Sequence, residues 1–150
     1  MEAILLTGIQ ATGKSTFYKQ YFADTHLRIN LDMLKTRHRE NLIFQACLEA
    51  KQPFVIDNTN PTAENRQKYI ALAKPAGFKI IGYYFQSKLK DALRRNQTRA
   101  GKACIPEPGI RAAYSKLQIP SFSEGFDILY YVTLNHDNTF TIRSWQKKLD

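Results

Sequence analysis

Short apolar runs alternate along this chain with longer segments in which apolar residues recur every three or four positions. The continuous runs at 3–7, 54–57 and 78–85 predict strands, and 26–31 is a further candidate strand. The longer segments have the period of helices with one buried face. Helices are predicted over 14–23, 40–52, 62–74, 87–100 and 110–118.

The end of the chain has a different pattern, because runs at 126–134 and 139–145 predict two strands joined by a tight turn. Elsewhere, strands separated by helices predict right-handed βαβ units. The expected fold class is therefore α/β, with a mostly parallel sheet covered on both faces. Ligands of such sheets bind at the carboxyl ends of the strands, so we expect Gly8, residues 30–32 and residues 57–60 to share one edge.

Composition limits the classes of protein that fit. The 150 residues suit a single domain over 1–150, and 43% apolar and 23% charged residues exclude a disordered or fibrous protein. The amino terminus has no basic leader before a long apolar segment, so we expect no signal peptide, no membrane span and a cytoplasmic location. Cys47 and Cys104 lack C-x-x-C spacing and a histidine cluster, and we interpret them as reduced thiols.

Basic residues outnumber acidic residues by 22 to 13, for a net charge of +9. The excess is local: residues 86–116 hold eight basic and two acidic residues, and thus six of the nine net charges. A charge excess gathered on one segment predicts a polyanionic ligand beside it, either ATP phosphates alone or ATP together with nucleic acid.

The stretch GIQATGKST follows the first predicted strand and opens the first predicted helix, with the spacing G-x-x-x-x-G-K-[ST] of a phosphate-binding loop. Lys14 would bridge the β- and γ-phosphates of a nucleotide, and Ser15 would hold Mg²⁺. A chance glycine-rich turn is the alternative, and Thr12 and Thr16 suit turn and helix-start positions better than catalysis. The predicted nucleotide-binding residues of the loop are Gly8, Ile9, Gln10, Ala11, Thr12, Gly13, Lys14, Ser15 and Thr16.

Asp32 lies just beyond the second candidate strand. A carboxylate there can accept the proton of an attacking hydroxyl while the loop holds the γ-phosphoryl group, which is the role of the general base in a kinase. The alternative is an N-cap for a helix beginning at Met33, and the two roles are compatible because a cap uses one carboxylate oxygen.

Asp57 ends the strand at 54–57 and is followed by Asn58, Thr59 and Asn60. A charged group at the end of an apolar strand is rarely buried without a purpose. Asp57 could hold Mg²⁺ together with Ser15, or fix a cation in the acceptor pocket. For Thr59 and Asn60 an ordinary turn into the next helix explains the residues equally well.

Arg95 and Arg99 are four residues apart in the most basic predicted helix, flanked by Arg94 and Lys102. At that spacing two side chains share one helix face. Such a segment, over about 86–116, could close on ATP as a lid, with Arg95 and Arg99 neutralising charge and excluding water. A solvated helix is the alternative, but it would have to carry these charges without intrahelical partners.

Taken in order, GIQATGKST, NLD, VIDNTNP and RRNQTRAGK resemble the kinase domain of the polynucleotide 5′-hydroxyl kinase family and related small P-loop phosphotransferases, over about residues 3–118. The resemblance implies a three-layer αβα sandwich of the P-loop kinase type with a helical lid. It also implies transfer of the γ-phosphoryl group of ATP, with Mg²⁺, to a 5′-hydroxyl of DNA or RNA. The matching residues are Lys14 and Ser15 of the loop, Asp32 as general base, Asp57 as second acidic residue and Arg99 as lid arginine.

Two departures from the family pattern concern the acceptor. The frequent N-R-D reads N-L-D here, and the arginine three residues after the base is Lys35, which pairs a phosphate without a bidentate fork. Lys35, Arg37, His38 and Arg39 still offer a cationic track for a nucleic-acid backbone. Phosphatase or ligase activities that are often fused to this kinase are expected on separate repair partners. The predicted acceptor-binding residues are Asp32, Lys35, Asp57 and Asn58.

These residues predict an ATP-dependent kinase whose acceptor is the 5′-hydroxyl of a polynucleotide. A kinase of a small hydroxyl compound would use the same machinery with a closed acceptor pocket. Two alternatives need no acceptor hydroxyl: a nucleotide-binding switch or regulatory ATPase, and a nucleic-acid-binding module with an idle loop.

Overall fold

A single six-stranded sheet forms the centre of the computed structural model, which describes residues 1–99, 101 and 104–145. Its strands are β1 (Glu2–Thr7), β2 (Leu27–Ile29), β3 (Phe54–Asp57), β4 (Lys79–Phe85), β5 (Ile128–Leu134) and β6 (Phe140–Trp145). Their order across the sheet is β2-β3-β1-β4-β5-β6. Neighbouring strands are parallel except β6, which returns antiparallel to β5. The α/β class, the mostly parallel sheet and the final strand pair are confirmed.

Within the described residues, six α-helices connect and cover the strands. They are α1 (Lys14–Tyr21), α2 (Leu31–Leu34), α3 (Arg37–Ala50), α4 (Ala63–Ala73), α5 (Leu89–Gln97) and α6 (Glu107–Lys116). Asn30, Thr36 and Thr62 cap α2, α3 and α4, since each side chain accepts the N–H of the third residue after it. The longest described helix has 14 residues, and none in the described part of the chain combines the length and hydropathy of a bilayer span.

Both faces of the sheet are buried, which explains why its strands are continuously apolar. Ala3 and Leu5 of β1 pack beneath α3 and α4, while Ile4 and Leu6 pack against Phe17 of α1 on the opposite face. Successive residues of a strand point to opposite faces, so one short run contributes to two cores. Because β1, β2 and β3 are parallel, their carboxyl ends lie side by side at one edge of the sheet.

A third apolar cluster joins α5 and α6 to the phosphate-binding loop. Ile9 and Ala11 of the loop pack with Ala92 of α5 and Ile110 of α6, all four buried. This packing rests the helical pair on the loop and brings the basic segment to the carboxyl edge of the sheet.

The chain between β2 and α3 differs from the sequence prediction. The candidate strand at 26–31 shortens to β2, because Asn30 caps α2 directly after it. The four residues of α2 are too few to show a helical period in the sequence. Thr36 caps α3, which therefore begins three residues before its predicted start at residue 40.

The boundaries of α5 and α6 also differ. Ser87 was expected to start the basic helix, but its Oγ accepts the N–H of Ile9 at 3.1 Å and donates to the last carbonyl of β4 at 2.8 Å. Ser87 thus ties the loop to β4, and α5 begins two residues later. α6 begins at Glu107 rather than residue 110, with Pro108 in the first turn, where its missing N–H has no partner to lose.

Candidate active site

The phosphate-binding motif forms the connection between β1 and α1, as its spacing predicted. Gly13 has a φ of 95°, and a Cβ there would lie 2.9 Å from Cε1 of Phe140. A Cβ on Gly8 would lie 3.0 Å from Cβ of Phe85. Both glycines are therefore required by close packing, and Gly13 also by its backbone conformation. Between them, Thr12 Oγ1 donates to the carbonyl of Ile9 at 2.8 Å and closes the turn.

Lys14 lies beneath this loop and is nearly buried. Its ammonium group donates to the carbonyl oxygens of Gly8 and Ile9 at 2.9 and 2.8 Å. Burial lowers the pKa of Lys14 to about 8, an effect that Asp57 and Asp32 oppose and Arg99 reinforces. The three predicted charged residues therefore lie close enough to Lys14 to alter its charge.

Ser15, Asp57 and Arg28 form a hydrogen-bonded triangle beside the loop. Ser15 Oγ donates to Asp57 Oδ2 at 3.1 Å, and Arg28 Nε reaches the same carboxylate oxygen at 2.8 Å. Arg28 Nη2 also donates to Ser15 Oγ at 2.9 Å. The Asp57 side chain is 1% exposed, so this ion pair neutralises a buried carboxylate. The two predicted roles of Asp57, to hold Mg²⁺ and to fix a cation in the acceptor pocket, stay predictions, and the cation paired with it in this structure is Arg28 of β2.

The oxygens of Ser15 and Asp57 also suit Mg²⁺. Hydroxyl and carboxylate oxygens are donors that this hard cation accepts, and their 3.1 Å separation is close to the roughly 2.9 Å between adjacent corners of its octahedron. The described residues contain no cluster of three or more His, Cys, Asp or Glu side chains that could enclose a metal. A cation here would accordingly rely on these two side chains and on nucleotide phosphates, as Mg²⁺ commonly does.

Asp32 occupies the second position of α2 and is exposed. The alternative role as N-cap of a helix beginning at Met33 is wrong, because Asn30 is the cap and the helix begins at Leu31. Asp32 therefore makes no capping bond, and its carboxylate lines the cleft beside the loop. This position leaves the carboxylate accessible to a hydroxyl group entering the cleft.

Two asparagines lock the edge of the sheet on which Asp32 depends. Asn30 Nδ2 donates to the carbonyl of Asp57 at 2.6 Å, and Asn58 Oδ1 accepts the N–H of Leu31 at 2.9 Å. Two bonds thereby tie the start of α2, directly after β2, to the end of β3. Asn58, a predicted acceptor-binding residue, is partly engaged in this structural role.

A buried carboxylate that the sequence did not reveal lies behind Asn58. Glu40 is 0% exposed, and its Oε1 accepts hydrogen bonds from Tyr69 at 2.8 Å, Arg37 at 3.0 Å and Lys68 at 3.1 Å. Its Oε2 accepts from Asn58 Nδ2 at 3.0 Å. Burial alone would raise the pKa of Glu40, but the bonds from Tyr69, Lys68 and Asn58 outweigh it and hold the pKa below its usual value.

The two lid arginines do not share a helix face, contrary to the prediction. α5 ends at Gln97 and Thr98 caps it, so Arg99 lies beyond the helix. Arg95 donates to the carbonyls of Ala11 at 3.4 Å and Leu134 at 3.3 Å, which anchors α5 to the loop and to β5. The burial of Arg95 lowers its pKa.

The basic segment is also less isolated than expected, because Arg94 pairs with Asp91 at 3.4 Å and Arg111 pairs with Glu107 at 2.7 Å, each within one helix. Asn96 makes two bonds with the backbone of Ile105, at 2.6 and 2.8 Å, and so ties the end of α5 to the start of the α6 segment. Lys102 lies outside the described residues.

One cleft of about 1100 Å³ collects most of the predicted site. Its donor side is lined by the loop residues Gln10, Ala11 and 13–16, and its acceptor side by α2, the start of α3, the edge after β3 and α4. Gly8, Ile9, Thr12 and Arg95 do not line it: the first three support the loop from behind and Arg95 anchors α5. The predicted residues that it brings together are Gln10, Ala11, Gly13, Lys14, Ser15, Thr16, Asp32, Lys35, Asp57, Asn58 and Arg99.

Sequence reasoning missed Arg28, Glu40, Asn96, Lys68 and Tyr69 as parts of the site. Arg28 alternates with apolar neighbours in a short strand and Glu40 lies in the first turn of a helix, where a carboxylate is ordinary. The only sequence signal for Glu40 is that its helix position falls in register with Phe44 and Cys47, on the buried face.

Comparisons with known proteins identify relatives of this chain. Residues 4–118 match the family described as AAA domain. The bifunctional polynucleotide phosphatase/kinase of Schizosaccharomyces pombe is 32% identical over 129 residues, which are 83% of this chain and 32% of that protein. The L-seryl-tRNA(Sec) kinase of Methanococcus maripaludis is 26% identical over 144 residues, with 83% of this chain and 56% of that protein covered. This chain thus spans about a third and just over half of the two relatives.

Among solved structures, Chaetomium thermophilum Kti12 in complex with ADP-AlF3 has a similar fold, with a TM-score of 0.69 at 14% identity over 91% of this chain and 92% of that one. The family match covers the phosphate-binding loop, Asp32, Asp57 and the basic segment up to α6. The chain therefore belongs to the AAA domain family, as a P-loop protein of the kinase type.

Proposed function

We propose that this protein is an ATP- and Mg²⁺-dependent kinase that transfers the γ-phosphoryl group to the 5′-hydroxyl of a polynucleotide. The observation that carries the proposal is the shared cleft, in which a phosphate-binding loop faces an exposed carboxylate, Asp32. A nucleotide-binding switch would need only the loop, whereas a regulatory ATPase would use such a carboxylate to orient water, so the assay below separates transfer from hydrolysis.

In this proposal the loop amides and Lys14 bind the nucleotide phosphates, and Asp32 accepts the proton of the attacking hydroxyl. Arg99 neutralises charge that develops during the transfer, while α5 and α6 exclude water from the loop. Mg²⁺, held by Ser15 and Asp57, would neutralise charge on the phosphates. Arg95 has a supporting role, because its guanidinium holds α5 against the loop.

The charge of the cleft supports a polyanionic acceptor rather than a neutral one. Its described lining contains six basic side chains and two acidic ones, and one of those acids, Asp57, is already paired with Arg28. The first-named relative is a polynucleotide phosphatase/kinase, which agrees with this class of acceptor. A small neutral hydroxyl compound would bring no negative charge to the cations on the acceptor side.

The test is transfer of label from γ-labelled ATP to a panel of 5′-hydroxyl DNA and RNA oligonucleotides, nucleosides and sugars. We expect label on the oligonucleotides. Asp32→Asn should retain nucleotide binding but lose transfer by at least a hundredfold, the typical effect of removing a general base. Asp24→Asn is the matched control, because Asp24 is exposed and lies outside the cleft lining.

Label on sugars or nucleosides alone would identify a kinase of small hydroxyl compounds. Release of inorganic phosphate without a labelled acceptor would identify an ATPase. Unchanged transfer by Asp32→Asn would contradict the role of Asp32 as general base.

A further inference from the structure

Two cations on the acceptor side of the cleft share one buried counter-charge. Arg37 Nη1 and Lys68 Nζ both donate to Oε1 of Glu40, at 3.0 and 3.1 Å. The two cations come from different helices, α3 and α4, and meet only because Glu40 lies between them. Glu40 itself is held by Tyr69 and Asn58 and is fully buried.

The charges of this group do not cancel. One carboxylate faces two permanent cations, so the group carries a net charge of about +1 at neutral pH. The carboxylate is inaccessible, whereas the Arg37 and Lys68 side chains are 55% and 41% exposed. The positive charge is therefore on the surface of the cleft and the negative charge is behind it.

Both cations retain donors for a ligand. Arg37 uses Nη1 for its bonds to Glu40 and Tyr69, and its Nη2 and Nε make no hydrogen bond to another described residue. The Lys68 ammonium has three N–H groups, one of which donates to Glu40. Both residues line the cleft, on the side that also holds Asp32 and Lys35. A pair of fixed cations beside the proposed base is suited to a phosphate near the reacting hydroxyl.

We propose that Arg37 and Lys68, positioned by Glu40, form an anion subsite that binds a backbone phosphodiester of the acceptor. The inference rests on the proposed function and deepens it, because it assigns the recognition of the acceptor to residues outside the phosphate-binding loop and Asp32. It also explains how the chain can bind an anionic acceptor with Lys35 where the related family has arginine: a guanidinium is supplied two residues later in the chain.

The alternative is that Glu40 simply fastens α3 to α4, with Arg37 and Lys68 as its counter-ions. That role predicts effects of substitution on stability alone. The subsite predicts in addition that the two cations sense the charge of the acceptor, and the two roles can therefore be separated by changing the charge of the acceptor instead of the protein.

The experiment uses 5′-hydroxyl oligonucleotides in which one linkage, the first, second or third from the 5′ end, is an uncharged methylphosphonate. With all-phosphodiester acceptors, Arg37→Met and Lys68→Met should each raise KM about tenfold, as expected for loss of a charge-assisted hydrogen bond, and change kcat little. At the linkage that contacts the subsite, the methylphosphonate should raise the KM of the wild type for the acceptor. It should also abolish the difference in KM between the wild type and the Arg37→Met and Lys68→Met variants.

Lys51→Met and Lys74→Met are matched controls, since each removes one exposed positive charge from the carboxyl end of α3 or of α4, outside the cleft lining. In Arg37→Met and in Lys68→Met, Glu40 keeps the other cation and its bonds to Tyr69 and Asn58. Thermal unfolding of every variant, controls included, checks that it is folded. The subsite is refuted if folded Arg37→Met and Lys68→Met bind all acceptors as the wild type does. It is also refuted if the two variants lose the same acceptor affinity with charged and with neutral linkages at every position.

These outcomes differ from failure of the proposed function. If the wild type transfers no label to any oligonucleotide, the kinase proposal fails. Fluorescence anisotropy with the same oligonucleotides then still tests the subsite, and absence of any charge-dependent difference between wild type and variants refutes it.

Discussion

The charged side chains at the phosphate end of the cleft are each stabilised by hydrogen bonds to neighbouring residues. Lys14 is buried under the loop, and Asp57 is buried beneath Ser15. Arg28 donates to both Asp57 Oδ2 and Ser15 Oγ. Each group would be unfavourable alone in this environment, because an isolated buried charge loses its hydration. A nucleotide phosphate that binds Lys14 would replace its bonds to the carbonyls of Gly8 and Ile9.

Nucleotide binding should depend on pH through Lys14. Above its pKa of about 8 the free protein loses the Lys14 proton, while a bound phosphate favours the charged ammonium, so binding takes up a proton there. Affinity for ADP should fall roughly tenfold between pH 7 and pH 9. Calorimetry at pH 8.5 in buffers of different ionisation enthalpy should detect the uptake. Lys14→Arg, which stays charged, should remove the pH dependence, and an unchanged slope in that variant would contradict the assignment.

Arg28 should compete with a divalent cation for Ser15 and Asp57. In Arg28→Gln the competing charge is absent, so Mn²⁺, used as a probe, should bind the ADP complex roughly fivefold more tightly, equivalent to about 1 kcal/mol for a partly exposed ion pair. Electron paramagnetic resonance measures the free Mn²⁺ directly. Arg39→Gln, an exposed arginine outside the cleft lining, should behave as the wild type. Weaker Mn²⁺ binding in Arg28→Gln would mean that Arg28 supports the cation site.

At the scale of elements, the edge after β3 is fixed from behind by α4. Arg66 of α4 is 0% exposed and forms two bonds with Glu124, of 2.7 and 3.1 Å, in the 3₁₀ turn Phe122–Glu124. It also donates to the carbonyl of Asn60 at 2.9 Å, and Asn60 Nδ2 donates to the carbonyl of Leu6 at 2.8 Å. A single buried arginine thus connects α4, the 3₁₀ turn and the edge of the cleft.

Removal of Arg66 should destabilise the fold strongly. Arg66→Ala leaves the Glu124 carboxylate without its partner in a buried environment, so the free energy of unfolding should fall by about 3–5 kcal/mol. Urea denaturation followed by circular dichroism measures the loss. Arg111→Ala, which breaks the exposed ion pair with Glu107, should cost about 0.5 kcal/mol or less. Equal effects of the two substitutions would show that the Arg66 pair is not a buried tether.

Across the whole molecule, positive charge is concentrated where the cleft opens. The described lining holds six basic and two acidic side chains, and residues 86–116 carry six of the nine net charges of the chain. α5 and α6 rest on the loop through the cluster of Ile9, Ala92 and Ile110, so the basic segment is held over the nucleotide side. The acceptor side has cations of its own, from α3 and α4.

Acceptor affinity should consequently depend steeply on salt. Three phosphate contacts, from Lys35, Arg37 and Lys68, would give a slope of about −2 for a single strand, or a loss of roughly twentyfold between 50 and 200 mM salt. KM for the oligonucleotide as a function of KCl concentration measures this slope. KM for ATP should change less, because the loop binds phosphates largely through backbone N–H groups. A flat response would contradict recognition of a polyanionic acceptor.

Much of this site was readable from local patterns. The loop, the exposed Asp32 at the end of β2 and Asp57 at the end of β3 each follow from a motif or a strand boundary, and parallel strands necessarily align their carboxyl ends. The prediction that Arg95 and Arg99 share one helix face was wrong, because α5 ends between them. Near that end the Asn96 side chain bonds to the backbone of Ile105, a tertiary contact that local patterns do not show.

The α/β class, the phosphate-binding loop and the order of the acidic residues follow from the sequence, since they depend on periodicity and on spacing within a few residues. Which charges meet follows only from the packing of the folded chain. Arg28 reaches Asp57 across 29 positions, and Lys68 reaches Glu40 across 28. Contacts at that separation depend on how helices and strands pack, and a charged residue gives no local sign of the partner that packing will bring to it.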